Sequence, residues 1–147
     1  MTSKNKGFYD CNRLGDILFI FHKNHKTYLN NELARYDLNL IHALCIERIH
    51  LNHDINQKDL ADDLYLTKGA ITKAIKKLES NGYILREKSS KDSRANILKL
   101  TQKGLDIIPV IKKINFDWES EMGFDNLTSE FFKTFQELAS KSAKLNK

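Results

Sequence analysis

Thr67, Lys68, Gly69, Thr72, Lys73 and Lys76 fall within ten positions and are all of types suited to a polyanion. The two hydroxyls can donate to phosphate oxygens or base edges, and the three ammonium groups can displace counterions condensed on a phosphate backbone. The glycine lets main chain approach a ligand closely. Further on, Lys91 and Arg94 place two more cations in a polar tip. Residues 67–101 carry nine Lys/Arg against three Asp/Glu, a net +6, while the rest of the 147-residue chain sums to −1. The positive charge is therefore local, as expected of a surface that sits on a phosphate backbone.

Bond-making chemistry is not written in the chain. It has no nucleophile elbow, phosphate-cradling glycine loop or metal-hydrolase motif, so an enzyme is not expected. His22 with His25, and His50 with His53, are pairs three residues apart, each half of a zinc site. No compact set of further ligands accompanies them, and neither metal nor cofactor is expected. Cys11 and Cys45 lie in separate segments without CxxC spacing, which suits reduced thiols in a cytosol. The sequence has no apolar run of 18 residues and no charged-then-apolar leader. A cytoplasmic protein with no membrane partner is expected.

The elements that position these residues follow from periodicity. Leu14, Ile17, Leu18, Phe21, His25, Tyr28 and Leu29 recur every three or four residues, predicting a helix over about 12–34. A second helix carries Ile41, Leu44, Cys45 and Ile49 and ends near 51–54. Asn56 can cap a short third helix bearing Leu60, Ala61 and Leu64. After Tyr65-Leu66, Thr67 offers a new cap, and the two short helices have helix-turn-helix spacing. In the fourth helix Ile71, Ala74, Ile75 and Leu78 share one face, leaving Gly69, Thr72, Lys73, Lys76 and Ser80 on the other.

Asn81-Gly82 supplies a left-handed stop, and residues 83–88 and 96–100 read as strands around the charged tip 89–95. That arrangement is a winged helix. Thr101 opens a long fifth helix with Pro109 in its interior, which should bend it. Thr128 caps a last helix bearing Phe131, Phe132, Phe135 and Leu138, more aromatic surface than one helix can bury alone. The expected class is mainly α with a small two- or three-stranded antiparallel wing, flanked by N- and C-terminal helices that pair with a second copy.

In this order the segments resemble the MarR family of winged-helix transcription regulators over nearly the whole of 1–147. Residues 56–61 look like the family's helix three, and 67–84 like its recognition helix running into the first wing strand. Asp92-Ser93-Arg94 matches the Asp-x-Arg of the wing, and Leu100-Thr101-Gln102-Lys103-Gly104 the Leu-Thr-x-x-Gly that closes it. The resemblance implies a DNA-binding region at 39–101 and a dimerisation region from 8–35 and 102–147. It further implies a homodimer on a pseudo-palindromic double-stranded operator, with one recognition helix in each major groove.

Arg94 would suit the narrow, strongly negative minor groove of A/T-rich DNA, with Asp92 orienting it. Relatives that answer to small aromatic or phenolic effectors make Phe19, His25, Tyr28, Arg35 and Trp118 candidates for a ligand pocket. Cys11 lies near the position where peroxide-sensing relatives keep a reactive thiol. The rival readings are a winged helix that binds an acidic protein partner, and a ligand-binding dimer with weak DNA affinity.

Overall fold

The computed structural model describes residues 12–89, 91 and 95–146. Among them lie α1 (Leu14–Leu33), α2 (Leu40–Leu51), α3 (Gln57–Asp63), α4 (Lys68–Ser80), β1 (Ile84–Lys88), β2 (Asn96–Leu100), α5 (Gln102–Met122) and α6 (Ser129–Leu145). Short 3₁₀ turns occupy Ala34–Tyr36 and Phe124–Asn126. The chain divides into two compact units after Leu40.

In the first unit α1 begins with an ion pair between Arg13 and Asp16 at 3.1 Å. Its exit is set by polar contacts with the main chain: Asp37 takes a left-handed φ of 57°, and the Leu38 amide donates to the Leu33 carbonyl at 3.1 Å. The Leu40 amide donates to Asn30 Oδ1 at 2.7 Å. Leu29, Leu33 and Leu38 are buried, whereas Leu14, Ile17, Leu18 and Phe21 are exposed. The amphipathic stripe predicted for this helix is present, but its N-terminal half faces solvent.

The second unit holds a continuous apolar core. It is built from Ile46 and Ile49 of α2, Leu60 of α3, Ile71, Ile75 and Leu78 of α4, Ile84 and Leu98 of the strands and Ile111 of α5, all buried. Burial also pushes the Cys45 thiol from 9.0 up to about 12. Such a thiol carries almost no thiolate at neutral pH and is chemically quiet.

Helix starts follow the caps expected from sequence. Asn56 accepts from the Asp59 amide at 2.8 Å, and Thr67, Thr101 and Thr128 accept from the amides of Ala70, Gly104 and Phe131, each at 3.1 Å. Each such cap is worth about 1 kcal/mol. The end of α4 is a Schellman stop: Gly82, at φ 78°, donates to Glu79 O at 3.0 Å, and the Tyr83 amide donates to Leu78 O at 2.9 Å. The strands pair antiparallel from Ile84 opposite Leu100 to Lys88 opposite Asn96. A lone bond from the Leu98 amide to Ile55 O at 2.9 Å stands where a third strand would begin, so the wing is a two-stranded ladder. Pro109 sits within α5 without ending it. On α6 no residue is buried.

Candidate nucleic-acid interface

The helix-turn-helix is closed by local bonds. Tyr65 adopts a left-handed φ of 55°, and the Leu66 amide donates to Ala61 O at 3.0 Å. This reverses the chain so that α4 can bury Ile71, Ala74, Ile75 and Leu78. Its other face exposes Thr67, Lys68, Gly69, Lys73 and Lys76. Among the described residues none of these three ammonium groups meets a carboxylate. A Cβ placed on Gly69 would meet nothing within 4 Å, so internal packing does not require glycine there. Close approach by something outside the chain gives the missing side chain a use.

Two hydroxyls depart from the simple outward picture. Thr72 is half-buried at the edge of this face, and its Oγ1 accepts from Gln57 Nε2 at 2.7 Å. Ser80 is exposed but donates back to Lys77 O at 3.0 Å. Sequence reasoning missed Gln57, because a partner fifteen residues away on another helix leaves no local signal.

Not every cation in the basic segment is available for a ligand. Arg86 on β1 brings Nε and a terminal nitrogen each to 3.0 Å from Glu79 Oε1, tying the wing to the end of α4. Lys99 Nζ donates to His53 O at 2.6 Å. Just beyond the segment, Lys103 Nζ donates to Asn81 O at 2.7 Å and lies 4.4 Å from the Tyr83 ring centroid. Thr101 Oγ1 donates to Gly82 O at 2.6 Å, and a Cβ on Gly104 would collide with Tyr83 O. The Leu-Thr-x-x-Gly run is thus a brace that holds the C-terminus of α4 against β2 and α5. Lys91 is exposed, with its amide donating to Ser89 Oγ at 3.1 Å. Asp92 and Arg94 lie outside the described residues, as does Cys11.

The residues proposed for a small-molecule pocket are spread over both units. In the first, Phe19 is 66% exposed, His25 and Tyr28 are half-buried, and Arg35 stands 3.7 Å from Glu32. In the second, the Trp118 ring packs tilted on Phe124 with centroids 5.3 Å apart. Two open grooves of the second unit are lined by other residues. One, of about 630 Å³, is acidic with Asp54, Asp59, Asp62 and Asp63. The other, of about 790 Å³, runs between Tyr65-Leu66 and the C-terminal half of α6. Among the described residues no group of three or more His, Cys, Asp or Glu is placed to hold a metal ion. No described helix is long and apolar enough to cross a membrane.

A short helix, a tight turn, a second helix with an apolar inner and a basic outer face, and a two-stranded ribbon after it define a winged helix-turn-helix protein. The model of the MarR family matches residues 38–95. The chain is 31% identical over 110 residues to the HTH-type transcriptional regulator SarZ of Staphylococcus haemolyticus, covering 75% of each chain. It superposes on a crystal structure of MarR at TM-score 0.70 and 31% identity, over 89% of this chain and 95% of that one. It superposes on a MarR transcriptional regulator from Methanosarcina mazei at TM-score 0.78 and 26% identity, over 90% and 97%. The chain belongs to the MarR family of winged helix-turn-helix transcriptional regulators, a family of regulators rather than enzymes.

Proposed function

We propose that this chain is a sequence-specific double-stranded DNA-binding regulator. It acts in the cytoplasm as a homodimer on a pseudo-palindromic operator and represses by occupying a promoter until a small aromatic or phenolic effector releases it. The observation that carries this reading is the outer face of α4. There Lys68, Lys73 and Lys76 stand exposed, without carboxylate partners among the described residues, beside a glycine that packing does not require. Each lysine set on a phosphate releases condensed counterions, and Thr67 can donate to the same backbone. Residues 39–101 form the DNA-binding part, with Lys91 and Arg94 of the wing reaching the minor groove and Asp92 orienting Arg94.

Residues 8–35 and 102–147 join the copies, a use for the apolar residues that α1 and α6 expose. The effector lies near Phe19, His25, Tyr28, Arg35 and Trp118. On α3, at 100° per residue, Asp59, Asp62 and Asp63 lie on the side away from Gln57 and hence away from α4. Negative charge there orients the approach of the basic face to DNA.

The test is to select duplexes from a randomised pool and to measure fluorescence anisotropy on the best of them and on scrambled DNA across a salt series. A steep salt dependence with a preference of at least ~10³-fold is expected. Steep dependence without preference would favour a ligand-binding dimer with weak DNA affinity. No binding at low salt would favour a protein-interaction module.

A further inference from the structure

We propose that Gln57 is a positioning residue that fixes Thr72 as a hydrogen-bond donor toward DNA, an inference that rests on α4 being the DNA-contacting helix. A threonine hydroxyl has one proton to give and two lone pairs to receive. In a helix the proton usually has a home four residues back: Thr27 of α1 donates to Lys23 O at 2.9 Å. Thr72 makes no such bond among the described residues. Its oxygen instead accepts from Gln57 Nε2 at 2.7 Å, across from the first turn of α3.

With one lone pair engaged and the return bond to its own helix unmade, the Thr72 proton is left for an acceptor beyond the chain. Gln57 is itself half-buried, on a helix whose start is pinned by the Asn56 cap, so the backbone that carries its amide is held in place. Thr72 therefore offers DNA a donor. It fits a phosphate oxygen, or N7 or O6 of guanine, N7 of adenine or O4 of thymine.

The experiment uses the full chain, the best duplex selected from a randomised pool and a scrambled duplex of equal length. The variants are Thr72→Val, Gln57→Met, Gln57→Glu and the Thr72→Val combinations with each. Thr72→Val and Gln57→Met should each weaken binding about 5- to 10-fold, and the two together no more than either alone. Gln57→Glu keeps a link between the helices but can only accept, so it consumes the Thr72 proton. The charge it adds is measured separately by making the same change in the Thr72→Val background.

After that correction Gln57→Glu should lose as much affinity as Gln57→Met while its melting temperature stays at the wild-type value. A bond that merely ties the helices together would instead be rescued by glutamate. Losses that are equal on both duplexes assign the acceptor to phosphate, and losses confined to the selected duplex assign it to a base edge. Wild-type affinity in corrected Gln57→Glu, or multiplying losses in the double variant with Gln57→Met, would overturn the inference. Failure of the wild type to bind either duplex would sink the DNA reading itself, and this inference with it.

Discussion

Arg86 shows why a cation next to the basic face of α4 need not be free for a ligand. Two of its three guanidinium nitrogens sit 3.0 Å from one oxygen of Glu79, and the two side chains are 35% and 34% exposed, so the pair is partly sheltered from screening. A pair of this exposure is worth up to about 1 kcal/mol. Glu79→Gln should lower the melting temperature by no more than about 3 °C, and it should release Arg86 and add one positive charge beside α4. Binding to scrambled DNA should then tighten, with the salt slope steeper by up to about 1. An unchanged slope in anisotropy titrations would show that Arg86 stays away from phosphate even when freed.

Cys45 makes the opposite kind of residue-scale statement. With its thiol raised from 9.0 to about 12, the stability this group contributes is fully present below pH 9 and is lost as pH rises from 9 toward 12. In a Cys11→Ser chain, Ellman's reagent at pH 8 should find no reactive thiol until the protein is unfolded, and rapid native labelling would contradict the burial argument. At this scale the sequence showed which residues are cationic and near one another. It did not show which were already engaged, because Gln57–Thr72 and Lys99–His53 join residues 15 and 46 apart.

Elements were more legible, and the reason is locality. A cap is an interaction between a side chain and an amide three residues on, so Asn56, Thr67, Thr101 and Thr128 could be read from the chain and are found at the helix starts. Gly82 was legible on the same ground, since the left-handed stop needs a residue with no Cβ to clash. Burial is not local: the spacing of Leu14, Ile17, Leu18 and Phe21 identified a helix but could not say whether its stripe would be covered within one copy of the chain. The wing's count of strands was open for a related reason, since a single bond to Ile55 decides between a ladder and an isolated contact.

Gly69 gives the element-scale prediction. Inside a helix, glycine costs about 0.5–1 kcal/mol relative to alanine, and here the space around it is empty. Gly69→Ala should therefore raise the melting temperature by roughly 1–4 °C while weakening DNA binding, because the added methyl group stands where backbone would approach phosphate. Stabilisation together with unchanged affinity would place the DNA elsewhere on α4.

At the scale of the whole molecule, the exposed apolar residues bear on the proposed homodimer. On α6, Phe131, Phe132, Phe135 and Leu138 are between 40% and 56% exposed, and on α1 Leu14, Ile17 and Leu18 are between 46% and 69% exposed. Each of these helices leaves an apolar stripe in water, and the proposed homodimer would give each stripe a cover. Phe131 and Phe135 stack edge to face with centroids 5.7 Å apart, and neither is buried in one copy. Phe131→Glu with Phe135→Glu should leave the circular dichroism spectrum unaltered and convert the proposed dimer to a monomer by sedimentation velocity.

The consequence for DNA separates assembly from contact. A dimer places its second α4 on the operator as an intramolecular step, and linking two sites in this way is worth about 10² to 10⁴ in affinity. The double phenylalanine variant should lose affinity on that scale for the selected duplex while each copy retains every lysine. Lys73→Ala should stay dimeric and lose about one phosphate contact per α4, read as a shallower salt slope. If the phenylalanine variant remains a dimer, α6 is not the seam. If it is monomeric yet binds the selected duplex with wild-type affinity, operator recognition does not need two copies.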